Sequence, residues 1–568
     1  MWKQYLKDFS LTLFLASLVL LSGCQNAVPE KKQNTQHANI RYVAQNGIKF
    51  SHESGVYETA ELKVHMQAPE GYTIAFTTNG TIPSGKDASG KTEWDVTLNC
   101  SMSGYLMDHK QKMFCPALPG SVLFQDDSLP AGIVLNTCLA DGKDVVSDKV
   151  QANVYFLQVD FARRFPNCLI VSVTTDAKNL IDYKTGILAS GAVFDEWKNT
   201  DNGNKLLAEK KWWKIETNST QRGMEWERPC QIQIYKNDAA EPDVKVNAGM
   251  RIRGGMSSRL NQKSFRFCFR EKYGSDLLQY ALFDKKEEYK SFSLRNGGND
   301  TEYLKFKDSF IQDLGKGGKF TVFHTRPAVL FLNGEYWGPY TLIEVLSGKM
   351  LQTRFGIDEK NVVAIKEEKV HIGKPKDIKL YEELQKFADK DFTDPEIYRQ
   401  FCDVMDVQSM ADYFAMRIYI GDGDWFPDHN HVLWRTRDKS YNGGRWQYIL
   451  HDTEYSAGHY GHEITSPETD HFRRAIKNFP VFGAAVRNKE FYALFLQAIR
   501  KVGSKNYKYS RVREKMDAYD KVWRPLMPDF YKRFGDTSQL RDGCMKATLD
   551  FFRKRYDIIV PIVEGWKP

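Results

Sequence analysis

The sequence predicts a multidomain chain, an N-terminal β-sandwich followed by an α+β unit that is strand-rich in its first half and helical in its second. Three observations carry this. Between positions 40 and 160, short apolar runs alternate with turn residues. From 244 to 269 two runs keep a period of two, with a further strand at 291–296 and a hairpin at 329–343. Beyond Met350, apolar residues fall at helical spacing instead. Hydrophobic residues make up 42% of the 568 and aromatics 13%, enough to bury a large core and to exclude a wholly disordered chain. The formal charge of +8 is small for this length and comes without a long basic run, so nucleic acid is not an expected partner.

At the N-terminus, Lys3 and Lys7 precede an apolar run at 11–21, short for a membrane span. It ends in Leu21-Ser22-Gly23-Cys24, where small residues lead to a cysteine. This resembles a bacterial lipoprotein processing box. The resemblance implies a signal peptide over 1–24, lipid on Cys24 and attachment to a membrane of the bacterial cell envelope. Gln25 at the next position agrees with an outer-membrane lipoprotein, on the periplasmic or the surface face. Residues 25–39 are polar and read as a linker.

In the 40–160 unit, strands are expected at 61–66, 73–78, 122–124 and 150–159, with Asn79-Gly80 as a turn. That spacing suits an Ig-like β-sandwich. Its YTIAFTTNGTIPSG segment resembles the chitobiase/hexosaminidase C-terminal module, which implies an accessory role such as glycan or surface-protein contact. Eight cysteines follow Cys24 without any CxxC pair, so no structural zinc site is expected. An oxidising compartment permits disulfides, with Cys100, Cys115 and Cys138 the first candidates.

The remaining domain, 161–568, opens with two strand-like runs, LIVSVTTD and RPCQIQIY. Between them lies a polar excursion whose Trp212, Trp213 and Trp226 read as anchors pinning a loop. Val244, Val246, Ala248, Met250 and Ile252 then alternate with polar neighbours until Gly254 and Gly255 break the strand. Phe265, Phe267 and Phe269 resume the alternation on the next strand, and Lys263 shares their parity. A lysine on a covered face implies an anionic partner. Strand, glycine-rich loop and strand with an inward lysine is also a layout that covers and grips nucleotide phosphates. The plainer alternative is a hairpin whose lysine snorkels to the edge.

A strand at 291–296 leads to Tyr303, Phe306, Phe310 and Leu314 at helical spacing, with Gly315 as a C-cap. Glu302 and Asp308 are both candidates to offer Lys263 an acid. Residues 329–332 and 336–343 flank Asn333-Gly334 as a hairpin, and 344–347 then connects to the helical half. There, Asp406 caps a helix whose inward face includes Met410, Tyr413 and Phe414. Two acidic turns stand out, GDGDWFPDHN at 421–430 and WQYILHDTE at 446–454, the second delivering Asp452 at the end of an apolar strand. Aspartate in such turns serves equally to cap them. His429, His431, His451 and His459 lack metal-site spacing and read as packing. Arg251, Arg253 and Arg259 line the glycine-rich loop, where one or more can contact phosphate.

Five segments in order, RIRGGMSSRLNQKSFRFCFREKYG, SFSLRNGGNDTEYLKFKDSF, LNGEYWGPYTLIE, DGDWFPDHNHVLWR and WQYILHDTEYSAG, resemble the spore-coat protein H (CotH) kinase-like family. The resemblance runs from about residue 160 to the C-terminus. It implies an atypical protein-kinase-like fold with a β-rich small lobe and a helical large lobe, and phosphoryl transfer from ATP to protein hydroxyls with Mg or Mn. On this basis Gly254, Gly255 and Lys263 would hold the nucleotide phosphates and Glu344 and Leu346 would form the adenine-contacting hinge. Asp424 would orient the attacking hydroxyl, and Asn430 and Asp452 would bind the metal, with Glu454 as a second acid. The alternatives are a non-catalytic surface scaffold on the same fold and, third, a glycan-processing protein using paired carboxylates.

Overall fold

The computed structural model describes residues 41–567, except 103, 119–121, 147 and 148. The expected signal peptide, its linker and Cys24 lie outside the described residues. The described chain is strand-rich in its N-terminal region and helical in its C-terminal region.

Two sheets at the N-terminal end enclose one apolar layer. Glu61–Gln67 alternates strictly, so Leu62, Val64 and Met66 share a buried face. This strand pairs with Lys49–Phe50 and Glu93–Asn99. The facing sheet runs in the order Arg41–Tyr42, Lys149–Leu157, Gly132–Asp141, Thr73–Thr77. Ile74, Ile133, Leu135, Tyr155 and Leu157 from it complete the layer. The strand expected at 122–124 does not form. Val122 and Phe124 are exposed, and the Phe124 N–H donates to the Arg533 carbonyl at 2.9 Å, so strand propensity there finds no ladder to join. Asn79-Gly80 does turn the chain, with Thr81 N–H donating to Asn79 Oδ1 at 3.1 Å and Gly80 left-handed at φ +77°. Cys115 is a buried thiol and not half of a disulfide, as are Cys168, Cys230, Cys268 and Cys544.

The chain then builds a closed seven-stranded barrel. The strand order is Leu169–Thr174, Arg228–Lys236, Val244–Arg253, Ser264–Cys268, Ser291–Arg295, Glu335–Glu344 and Thr325–Leu332. Every neighbouring pair is antiparallel except the closing one, where Leu169–Thr174 and Thr325–Leu332 run parallel. Met250, Ile252, Phe265, Phe267, Leu294 and Leu342 fill the lumen. The expected hairpin is present, and Asn333 and Gly334 both take positive φ as its tight turn requires. Phe156 of the N-terminal sheet packs edge-on against Phe331 at 4.9 Å, so sheet and barrel share a core.

After Glu344 the chain is helical, and Asp406 caps Val407–Tyr419 as expected by accepting the Ser409 N–H at 3.1 Å. The helix expected around Phe306 begins at Lys307 and ends with Gly315 as its last residue, leaving Tyr303 in a turn. A methyl on Gly315 would come within 2.8 Å of Met416, so that glycine serves helix contact. The helical half also holds a four-stranded sheet, Lys369–Ile372, Val362–Lys366, Val432–Thr436, Gln447–Tyr448. This sheet carries both acidic turns. No described helix is long and apolar enough to cross a membrane.

Candidate active site

The barrel wall has two faces, and the site uses the outer one. Strand register sets Arg253 opposite Ser264, Arg251 opposite Arg266, and Arg266 opposite Ser293. Arg295 follows Leu294, the partner of Phe265, and therefore shares this outer face. Lys263 immediately precedes the strand Ser264–Cys268 and sits beside Cys115 and Arg259. Its Nζ donates to the Leu260 carbonyl at 2.9 Å, burial pushes its ammonium down to about 8, and no described carboxylate pairs with it.

The loop between these strands is braced. Gly254 is left-handed at φ +103° and its carbonyl accepts from Arg222, while Ser219 Oγ donates to the Ser258 carbonyl at 2.9 Å. Arg259 turns away to Ile215 and Glu216. The tryptophan-bearing excursion thus supplies the brace, and Gly255 remains exposed with open space beside it.

On the outer face, Arg295 gathers three acids. Its Nη1 donates to Asp308 Oδ2 at 3.2 Å, and its Nη2 donates to Asp452 Oδ1 and to Glu454 Oε1, the latter at 2.8 Å. Asp308, in the first turn of Lys307–Gly315, also accepts the Thr453 N–H and hydroxyl, each at 2.8 Å. The acid offered by this helix therefore goes to Arg295 and not to Lys263. Gly298 is required beside the cluster, because a Cβ there would lie 2.1 Å from Glu454 Oε1. Burial opposes the charge on Arg295, but Glu454 and the two aspartates outweigh it and hold the guanidinium protonated. Burial pushes the Glu454 carboxyl well up, whereas Arg295 overcomes burial at the half-exposed Asp452 and holds it ionised.

The second half of the site hangs from Arg417, a fully buried arginine in Val407–Tyr419. It forms an ion pair with the fully buried Asp422, and its Nη2 donates to the Asn430 carbonyl at 3.0 Å and the His451 carbonyl at 2.6 Å. One guanidinium therefore ties Asn430 to the residue before Asp452. Asn430 and Asp452 are both left-handed, at φ +55° and +56°, a backbone state that Asn and Asp tolerate better than most residues. Asp422 Oδ1 accepts the Asp424 N–H at 3.1 Å, and Asn430 Nδ2 donates to the Asp424 carbonyl at 2.9 Å. Exposed His429 sits 3.2 Å from Asp424 Oδ2, which pushes its imidazole up to about 9.

The structure thus brings Asp424, Asn430 and Asp452 together, with Glu454 beside Asp452. Glu344 and Leu346 lie where the barrel joins the helical half. The Glu344 carboxylate is engaged by Arg354 and by the His324 N–H at 2.6 Å, and Leu346 packs with Phe323, Met350 and Trp434. Asp300, His459 and Cys544 also meet, within 4.8 Å. Both Asp300 oxygens accept backbone N–H groups, and the buried Lys307 ammonium lies 3.5 Å from His459 Nδ1, so the cluster is a satisfied polar core. Sequence reasoning missed Arg295, Arg417 and the structural role of Asp422. A lone arginine on a helix with an apolar inward face, five residues before an aspartate, was the available signal for the Arg417–Asp422 pair.

The family described as CotH kinase protein matches residues 250–559. That span includes Arg253, Arg295, Asp308, Asp424, Asn430 and Asp452 and stops short of the N-terminal sheets. No curated protein matches the chain.

Proposed function

This chain belongs to the CotH kinase family, and we propose that it is a lipid-anchored atypical protein kinase that transfers the ATP γ-phosphoryl group to protein hydroxyls with Mg²⁺ or Mn²⁺. The barrel acts as the small lobe, the helical half as the large lobe, and the Glu344 and Leu346 connection as the hinge. Lipid on Cys24 holds the chain at the bacterial cell envelope, with the N-terminal sheets as an accessory Ig-like module.

The observation that carries the reading is the Arg417 clamp, which ties Asn430 to the chain before Asp452 and, through Asn430 Nδ2, to Asp424. The donors suit a hard divalent cation. Asp452 is ionised and half exposed, and the Asn430 amide oxygen accepts no hydrogen bond among the described residues. Asp452 and Asn430 would hold that cation, which would supply charge to screen the phosphates. Asp424, at 37% side-chain exposure, accepts the hydrogen of the incoming hydroxyl as its oxygen bonds to phosphorus and the bond to the ADP oxygen breaks.

The test is transfer from γ-³²P-labelled ATP with Mn²⁺ to dephosphorylated casein. Wild type should label the protein and Asp424→Asn should not, while still binding nucleotide. Equal labelling by the variant would remove Asp424 from the mechanism. Nucleotide binding without any transfer by wild type would favour the scaffold alternative.

A further inference from the structure

We propose that Arg253, and not Lys263, is the cation that grips the nucleotide's terminal phosphates, assisted by Arg266; this rests on the nucleotide reading above. The first ground is the side of the wall. Lys263 precedes the strand Ser264–Cys268, sits beside Cys115 and Arg259, and donates to the Leu260 carbonyl. Arg253 stands on the outer face of the wall, within electrostatic reach of Arg295, Asp452, Arg266 and Asp308.

The second ground is what each cation already holds. Arg295 is committed to three carboxylates. Arg253 is largely buried yet makes no hydrogen bond or ion pair among the described residues. Arg266 donates to Ser291 Oγ at 3.1 Å and interacts with the Cys268 thiol, and its Nε is buried without a partner. Half-buried guanidinium groups left unpaired are costly unless an anion completes them. Two planar forks on adjacent strands suit the several oxygens of a polyphosphate better than one compact ammonium does.

The third ground is access. Gly254 and Gly255 follow Arg253 directly, and Gly255 is exposed with open space where its Cβ would lie. The glycines keep side chains clear of a ligand held by Arg253, and the excursion braces the loop from behind.

The experiment titrates the full-length chain in detergent with ATP and, separately, with tripolyphosphate, each with Mg²⁺, for wild type, Arg253→Met, Arg253→Lys and Lys263→Met. Arg253→Met should weaken both ligands roughly 10- to 100-fold, the worth of a charge-assisted contact. Arg253→Lys should recover part of that loss, and Lys263→Met should stay within about threefold of wild type for both ligands. Tripolyphosphate bound through Arg253 without ATP binding would uphold the grip and defeat the nucleotide reading. ATP bound equally well by Arg253→Met would overturn the grip and leave that reading standing. Loss in Lys263→Met with Arg253→Met unaffected would return the role to the lysine, and no binding of either ligand by wild type would sink both.

Discussion

Arg417→Met is the sharpest perturbation of the site, because one side chain holds both of its halves. Arg417 and Asp422 both have fully buried side chains, so removing the arginine strands a buried carboxylate. Breaking such a pair costs about 3–5 kcal/mol. The carbonyls of Asn430 and His451 also lose their donor, at roughly 1–3 kcal/mol each if water does not replace it. Neighbouring effects do not add, so a loss of about 4 kcal/mol or more is expected. Adding Asp422→Asn removes the stranded charge and keeps the acceptor for the Asp424 N–H, so the double variant should regain about half of the loss. It should not regain metal-dependent nucleotide binding, since no side chain then joins the Asn430 and His451 carbonyls. Hydrogen exchange of peptides spanning 417–430 and 446–456 reads the local stability, and ATP titration with Mg²⁺ reads the site. An Arg417→Met protein within about 1 kcal/mol of wild type, or a double variant that binds normally, would refute the clamp.

Gly298→Ala would push a methyl against Glu454 Oε1 at φ +63°, so it should destabilise by about 1–3 kcal/mol. Gly543→Ala, in open space within the helix Ser538–Glu564, is its control and should be neutral or slightly stabilising, and equal denaturation midpoints for the two would discredit the close approach. Lys305 is buried over the Phe530 ring, bonded to Gln262 and Asn296, with Asp300 and Glu302 as its nearest acids. Burial pushes it down to about 7 from an ordinary 10.5, so between those values the unfolded chain binds the extra proton and stability rises with pH. Lys305→Met should therefore gain on wild type at pH 7 and lose that gain toward pH 10, a change on the order of a few kcal/mol. A difference that ignores pH would show that the ammonium is not penalised.

Much of this was legible because it was local. Alternation marked the strand at Val244–Arg253, Asn333-Gly334 marked the hairpin of Thr325–Leu332 and Glu335–Glu344, and Asp406 marked a cap. The acidic turns were recognisable too, since Asp424, Asn430 and Asp452 lie on short segments with unusual turn chemistry. What escaped depends on distant pairing. The barrel closes only because Leu169–Thr174 meets Thr325–Leu332, and no window of sequence contains both. Closure also changes what a covered face means. The alternation of Phe265 and Phe267 marked one face, which in a barrel is the lumen, while Lys263 falls just before that strand, beside Cys115 and Arg259. Arg295 and Arg417 look like ordinary charges until the fold delivers their partners from 157 and 34 residues away.

The central claim is that Asp452 and Asn430 hold a divalent cation that binds nucleotide. Calorimetric titration of the full-length chain with ATP, with and without Mg²⁺, beside Asp452→Ala tests it most directly. The account predicts binding that requires the cation and that the variant loses while remaining folded. ATP binding that is indifferent to the cation, or equal in the variant, would contradict it.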